Sequence, residues 1–200
     1  MKERGIIFNT DMVKAVLEDR KTQTRRVIKP QPMGSLIQDE ENALIWADCV
    51  TQPSTPNSPP EGLEVDYYKC PYGKVGDRLW VKETWAWSGM NRIEYKAFPA
   101  DGKDFRSVDR WKPAHHMHLQ WSRITLEITD IRVERVQSIS LSDAYREGMI
   151  NNCCNGQDCG CQGEMPISNF RNLWDSIYGK DAWELNKHVW VITFKVVTNG

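Results

Sequence analysis

The segment Asp19-Arg20-Lys21-Thr22-Gln23-Thr24-Arg25-Arg26 gathers four cations around two hydroxyls. One of those hydroxyls is a candidate nucleophile, and a cleft built from Arg20, Lys21, Arg25 and Arg26 would attract polyanions. The alternative is a solvated basic turn. A second constellation is Cys153-Cys154-x4-Cys159-x-Cys161, whose four thiols are zinc candidates. Neither spacing is the usual Cys-x2-Cys pair, and adjacent cysteines seldom ligate one ion together, so they count as thiols first and ligands second. Cys49, Cys70, His115, His116 and His118 are the further ligands such a structural zinc would draw on, whereas a histidine in a polar loop is ordinarily solvated.

The elements must place these groups. Residues 5–8 have the pattern of a first strand, and Asn9 or Thr10 caps a helix with Met12, Val13, Val16 and Leu17 on its apolar face. The basic segment follows as a turn leading into a strand. From Pro30 to about Asp66 the chain turns to Pro, Ser, Gln, Asn and Glu, with one apolar run at Leu44-Ile45-Trp46, and is expected as an excursion outside the core. Gly76 to Trp85 begins with a turn and continues as an alternating strand, and a second strand is expected at 93–98. Residues 99–120 are polar and loop-like.

The clearest strand signal covers 123–136, where apolar residues sit at even positions to Ile128 and at odd ones from Ile131. That phase change predicts a bulge near Thr129-Asp130. Ser142 to Gly148 is expected as a short helix with a serine cap, and about 168–178 as a helix with Phe170, Leu173, Trp174 and Ile177 at helical spacing. A final strand is expected at 188–197. Strands of this length without an alternating strand–helix repeat predict an α+β fold, a small mixed β-barrel with short flanking helices and two loop-rich insertions, at about 32–69 and 99–120. A Cys-rich loop at 150–166 completes a single domain spanning 1–200.

The 200 residues are 40% hydrophobic, enough for one sizeable core. A net charge of -1 excludes a generally basic nucleic-acid coat and confines any polyanion site to local clusters. No apolar run approaches the roughly 20 residues that cross a bilayer, so a cytoplasmic protein with no membrane partner is expected. Of nine tryptophans most belong in the core, while Trp85 and Trp87 share a strand face that could stack on a base.

The helix, Arg20-Lys21-Thr22-x-Thr24-x-Arg26, Gly76-Asp77-x-Leu79, the long strand, Glu147-Gly148-Met149 and the closing Trp190-Val191-Ile192-x-Phe194 together resemble the ASCH domain, a branch of the PUA-like β-barrels. The resemblance runs from residue 5 to 197, outside the two insertions and the cysteine loop. With Cys70-Pro71-Tyr72-Gly73 ahead of the turn, the chain is similar to the longer form encoded by phages and prophages.

Compact bacterial members of that family are amidohydrolases that remove the acetyl group of N4-acetylcytidine with a lysine, a threonine and a glutamate. The resemblance implies Lys21, Thr24 and Glu147 in those roles and requires no cofactor. The types suit the task, because a threonine hydroxyl attacks once a base takes its proton, and a lysine is that base when burial or nearby cations lower its pKa. Arg20, Arg25 and Arg26 would push Lys21 that way or hold phosphate. Thr22 is the stand-in for Thr24 if the backbone does not turn between positions 21 and 24. Arg78, Glu83 and Trp85, with Ser122 and Arg123, are expected to shape the substrate pocket, their alternative being a plain hairpin and a barrel rim. The partner implied is RNA or a modified nucleoside. A non-catalytic RNA-binding module, or an accessory protein binding a host factor through the insertions, remains open.

Overall fold

In a computed structural model the chain is described in full over residues 1–32, 69–88, 92–98, 108, 110–150 and 165–197, and by its backbone over 35–38, 44–48 and 64–68. Strand β1 (Glu3–Ile7) leads through helix α1 (Thr10–Leu17) to β2 (Gln23–Val27). Strands β3 (Ser35–Gln38), β4 (Leu44–Asp48) and β5 (Glu64–Tyr68) come next, then β6 (Arg78–Lys82), β7 (Trp85–Trp87) and β8 (Ile93–Tyr95). Strand β9 (Thr125–Arg135), helices α2 (Leu141–Arg146) and α3 (Met165–Tyr178) and strand β10 (His188–Val197) complete the order.

The main sheet has the order β1-β6-β9-β10-β2. Only the β1–β6 pair is parallel. Because side chains alternate across a strand, β10 serves two cores. Trp190, Ile192 and Phe194 join Ile6, Phe8, Leu79, Leu126 and Ile128 beneath Val13 and Val16 of α1. Val189 and Val191 face the other way, onto Phe170 and Trp174 of α3. The apolar spacing read for α3 therefore packs as helical periodicity demands.

The β9–β10 register passes from Thr193↔Asp130 to Phe194↔Ile128, leaving Thr129 unopposed. This is the bulge that the phase change in the sequence predicts. Sheets with a few short helices make up the expected α+β class; among the described residues no ladder joins β1 to β2, the two edges of the main sheet, which meet through a side chain, Arg26 Nη2 donating to the Ile7 carbonyl at 2.7 Å. Other expectations are corrected. The stretch expected as a loop-rich excursion carries the three-stranded antiparallel sheet β3-β4-β5. The strand expected to run to Trp85 breaks after Lys82, and β7 turns away to pair with β8. Ser140, not Ser142, caps α2, its Oγ accepting from the Asp143 amide at 3.1 Å.

Candidate functional site

Strand β2 is an edge strand, and the groups that could do chemistry collect along it. The turn after α1 is tightened by Asp19 at φ 55 and by the amides of Arg20 and Lys21, which both donate to the Ala15 carbonyl at 2.9 Å. This takes Lys21 off the strand. Its backbone forms an isolated bridge with Glu147, and the Thr22 amide donates to the Arg146 carbonyl at 2.8 Å. The close approach requires Gly148: its φ is +91, and a Cβ there would lie 2.7 Å from the Ala15 Cβ and 3.2 Å from the Lys21 Cβ.

That approach buries an ion pair. Lys21 Nζ donates to Glu147 Oε2 at 2.6 Å and to the Glu147 carbonyl at 2.9 Å, with side chains 0% and 3% exposed. Burial drives the Lys21 amine below the ordinary lysine range; Glu147 opposes the shift, and Arg26 and Arg25 add to it. Of the two causes the sequence offered, burial and nearby cations, burial is the larger.

Arg25 departs furthest from its expected role. Its guanidinium is completely buried and paired with Glu134 at 2.9 Å, Asp143 at 3.2 Å and Glu147 at 3.3 Å, and it donates to Gln23 Oε1 at 2.7 Å. Arg132 braces the same acids from β9, at 2.6 Å from Glu134 and 3.3 Å from Asp143. Three cations, Lys21, Arg25 and Arg132, thus answer three carboxylates, as buried charge must be answered. Arg25 is committed to this scaffold through both terminal nitrogens, and only its buried Nε is without a partner. Arg20 is likewise engaged, with Glu18 and with the Gly148 carbonyl at 2.8 Å.

Thr24 is buried and, with Glu147, Arg25 and Arg26, lines a cavity of about 10 Å³ closed by Met12 and by α3. That is room for about one water. Thr22 is held by its backbone between Arg146 and Phe194, the latter amide donating to the Thr22 carbonyl at 2.9 Å. Glu147 and Thr24 thus line one small cavity, and Lys21 reaches it through its ion pair with Glu147, not being among the residues that line it.

Arg26 and Tyr178 line this cavity and also a larger cleft of about 380 Å³. The Arg26 guanidinium lies over the Phe8 ring at 5.6 Å, and its buried Nε has no partner. Lys29 and Lys69 add charge to the cleft, and Tyr72, Tyr178 and Trp190 add rings. The sequence reading missed Lys29, Lys69, Tyr72, Tyr178 and Trp190 as site residues. One signal was present: Tyr72 sits in the Cys70-Pro71-Tyr72-Gly73 turn, tightened by Gly73 at φ +125.

The remaining predicted residues gather elsewhere. Glu83 and Arg123 form a two-pronged pair at 2.9 Å and 2.9 Å, with the guanidinium 4.2 Å above the Tyr95 ring. Ser122 Oγ donates to the Val81 carbonyl at 2.9 Å, and Arg78 faces Glu3 at 3.9 Å. Trp85 is only 1% exposed and packs on Trp121 at 4.5 Å, so it is not an open stacking surface; Trp87 is the exposed member of the pair at 38%. None of these side chains pairs with the Lys21 cluster among the described residues.

Cys153, Cys154, Cys159, Cys161 and Cys49 lie outside the described residues. Among those described, no group of His, Cys, Asp and Glu is arranged to hold a metal ion. Cys70 packs against the core, and burial pushes its thiol up to about 11, the state of an inert thiol. No helix among the described residues is long and apolar enough to cross a membrane.

No family model and no curated protein matches the chain. A solved structure, the ASCH domain from Lactobacillus crispatus JV V101, is similar over 98% of this chain and 79% of that one, at 13% identity and a TM-score of 0.35.

Proposed function

We propose that the protein binds a modified pyrimidine nucleoside in the cleft beside β2 and hydrolyses its N4-acetyl amide. The observation that carries this reading is the buried Lys21–Glu147 pair, with Thr24 on the cavity that Glu147 lines. In the reaction the Lys21 amine takes the proton of the Thr24 hydroxyl as its oxygen attacks the acetyl carbon. The carbon–nitrogen bond breaks, and the Lys21 ammonium returns the proton to the departing N4 amine. Water then cleaves the acetyl-threonine ester, releasing acetate. Arg25 and Arg26 both line the inner cavity with a buried Nε that has no partner, and Arg26, which has no carboxylate partner among the described residues, is the cation assigned to the oxyanion. Glu147 holds the amine in place.

One measurement decides it: acetate release from N4-acetylcytidine by the wild type and by Lys21→Met, Thr24→Ala and Glu147→Gln. The wild type turns over, and Lys21→Met and Thr24→Ala each lose about 100-fold or more. Undiminished turnover in Thr24→Ala refutes the nucleophile. A second reading, an RNA-binding module without turnover, is favoured by the 10 Å³ size of the inner cavity, which admits no acetyl group unless α3 gives way. Salt-sensitive RNA binding with no acetate released by any form would select it.

A further inference from the structure

Hydrolysis at Thr24 explains the inner cavity and leaves the outer cleft unexplained. In a protein of net charge -1, the described residues that line that 380 Å³ cleft include Arg26, Lys29 and Lys69 and no carboxylate. Neither Lys29 nor Lys69 has an ion-pair partner among the described residues, in contrast to Arg25 and Arg132, whose charges are spent internally. Each lysine sits on an anchored turn. Gln31 fixes the one after β2, its Nε2 donating to the Ile28 carbonyl at 2.7 Å and its Oε1 accepting from the His188 amide at 2.8 Å. The other precedes the Cys70–Gly73 turn, which Asp77 steadies by accepting from the Lys74 amide at 3.2 Å.

Between these cations stand Tyr72 and Tyr178, both half-buried, with Tyr178 backed by Trp174 at 4.3 Å. Cations without an ion-pair partner among the described residues, lining one cleft together with aromatic side chains, match a ligand that is both anionic and aromatic. The volume is that of a small-molecule site.

We propose that this cleft is a nucleotide site in which Lys29 and Lys69 bind a phosphate and Tyr72 and Tyr178 hold the base, so that the ligand is phosphorylated rather than a free nucleoside. The identity of the base as a pyrimidine rests on the proposed function; the phosphate preference does not. Arg26 and Tyr178, which line both spaces, join the phosphate-binding cleft to the cavity beside Thr24.

Calorimetric titration with cytidine, cytidine 5′-monophosphate and a short oligocytidine tests this without any turnover. The monophosphate binds at least about tenfold more tightly than cytidine, the gain expected of charge-assisted bonds to one phosphate, and the gain shrinks as salt is added. A Lys29→Ala/Lys69→Ala variant, whose changes are on the surface, loses the gain, and the corresponding double arginine variant keeps it. Oligocytidine binding more tightly than the monophosphate identifies a strand as the source of the phosphate, and equal binding a free nucleotide. Equal affinity for cytidine and its monophosphate, a preference that survives the double alanine variant, or binding of none of the three overturns the proposal. Amide turnover is read separately, so either idea can fail while the other stands.

Discussion

Lys21 faces two opposing demands. As the partner of Glu147 at 2.6 Å it keeps its proton, and as the base toward Thr24 that the proposed function requires it must shed it. Burial is the larger influence and lowers its pKa from 10.5, so the competent neutral form grows as pH rises and saturates below the ordinary lysine value. The rate should climb with pH and level off before 10.5, with Thr24→Ser retaining the profile; a rate flat across that range excludes Lys21 as the base. Stability follows the same sign. The folded chain releases this proton at lower pH than the unfolded one, so between the two pKa values the lysine favours the fold increasingly as pH rises. Removing the amine has a structural cost as well. Lys21→Met strands the Glu147 carboxylate, which keeps only Arg25 at 3.3 Å, and should cost about 3 kcal/mol in urea denaturation, with Lys21→Met/Glu147→Gln recovering part of it.

At the scale of elements, the site depends on α2 ending against the turn after α1. Gly148→Ala places a methyl 2.7 Å from the Ala15 Cβ at a φ of +91, and neither backbone nor methyl is free to give. The expected loss is about 1–3 kcal/mol in chemical denaturation, with activity lost beyond what the unfolded fraction explains, because the Lys21–Glu147 pair is pulled apart. Much of this element level was legible. Met12, Val13 and Val16 marked α1, the apolar phase change marked the bulge at Thr129, and helical spacing marked α3. The misplaced cap on α2 has a plain cause: Ser140 and Ser142 stand two residues apart at the start of the same segment, and only the backbone decides which hydroxyl meets the Asp143 amide. The β3-β4-β5 sheet was hidden because its strands are short and separated by Pro- and Ser-rich sequence, which composition alone assigns to loops.

For the whole molecule, charge pairing is concentrated between the sheet and α2. Burial alone would raise the Asp143 carboxyl, but Arg25, Ser140 and Arg132 outweigh it and hold it below 3.8. A carboxylate depressed in the folded state stabilises the protein above its unfolded pKa and loses that contribution as pH falls through the folded value. Thermal melting should therefore drop on acidification below about pH 4, and Asp143→Asn should flatten that drop while lowering the melting temperature at neutral pH. A steep acid limb unchanged in Asp143→Asn assigns the effect to other groups. The identity of Arg25 as scaffold was not legible, since Glu134, Asp143 and Glu147 lie 109, 118 and 122 residues away in the chain. Charge type suggested a ligand cation, and only the tertiary arrangement shows the charge already matched. The cleft was hidden for the same reason, its walls coming from β2, the Cys70 turn, α3 and β10.

The placement of these groups on β2 sets how long the assembled site lasts. An outermost strand, laddered on one flank only and held elsewhere by side-chain bonds such as Arg26 to the Ile7 carbonyl, detaches at lower free energy than the interior strands β9 and β10. On the proposed function, competence is then governed by a partial opening that releases β2 while the rest of the molecule stays folded. A ligand spanning the cleft would act as the missing clasp on that flank, so occupancy and integrity of the site rise together.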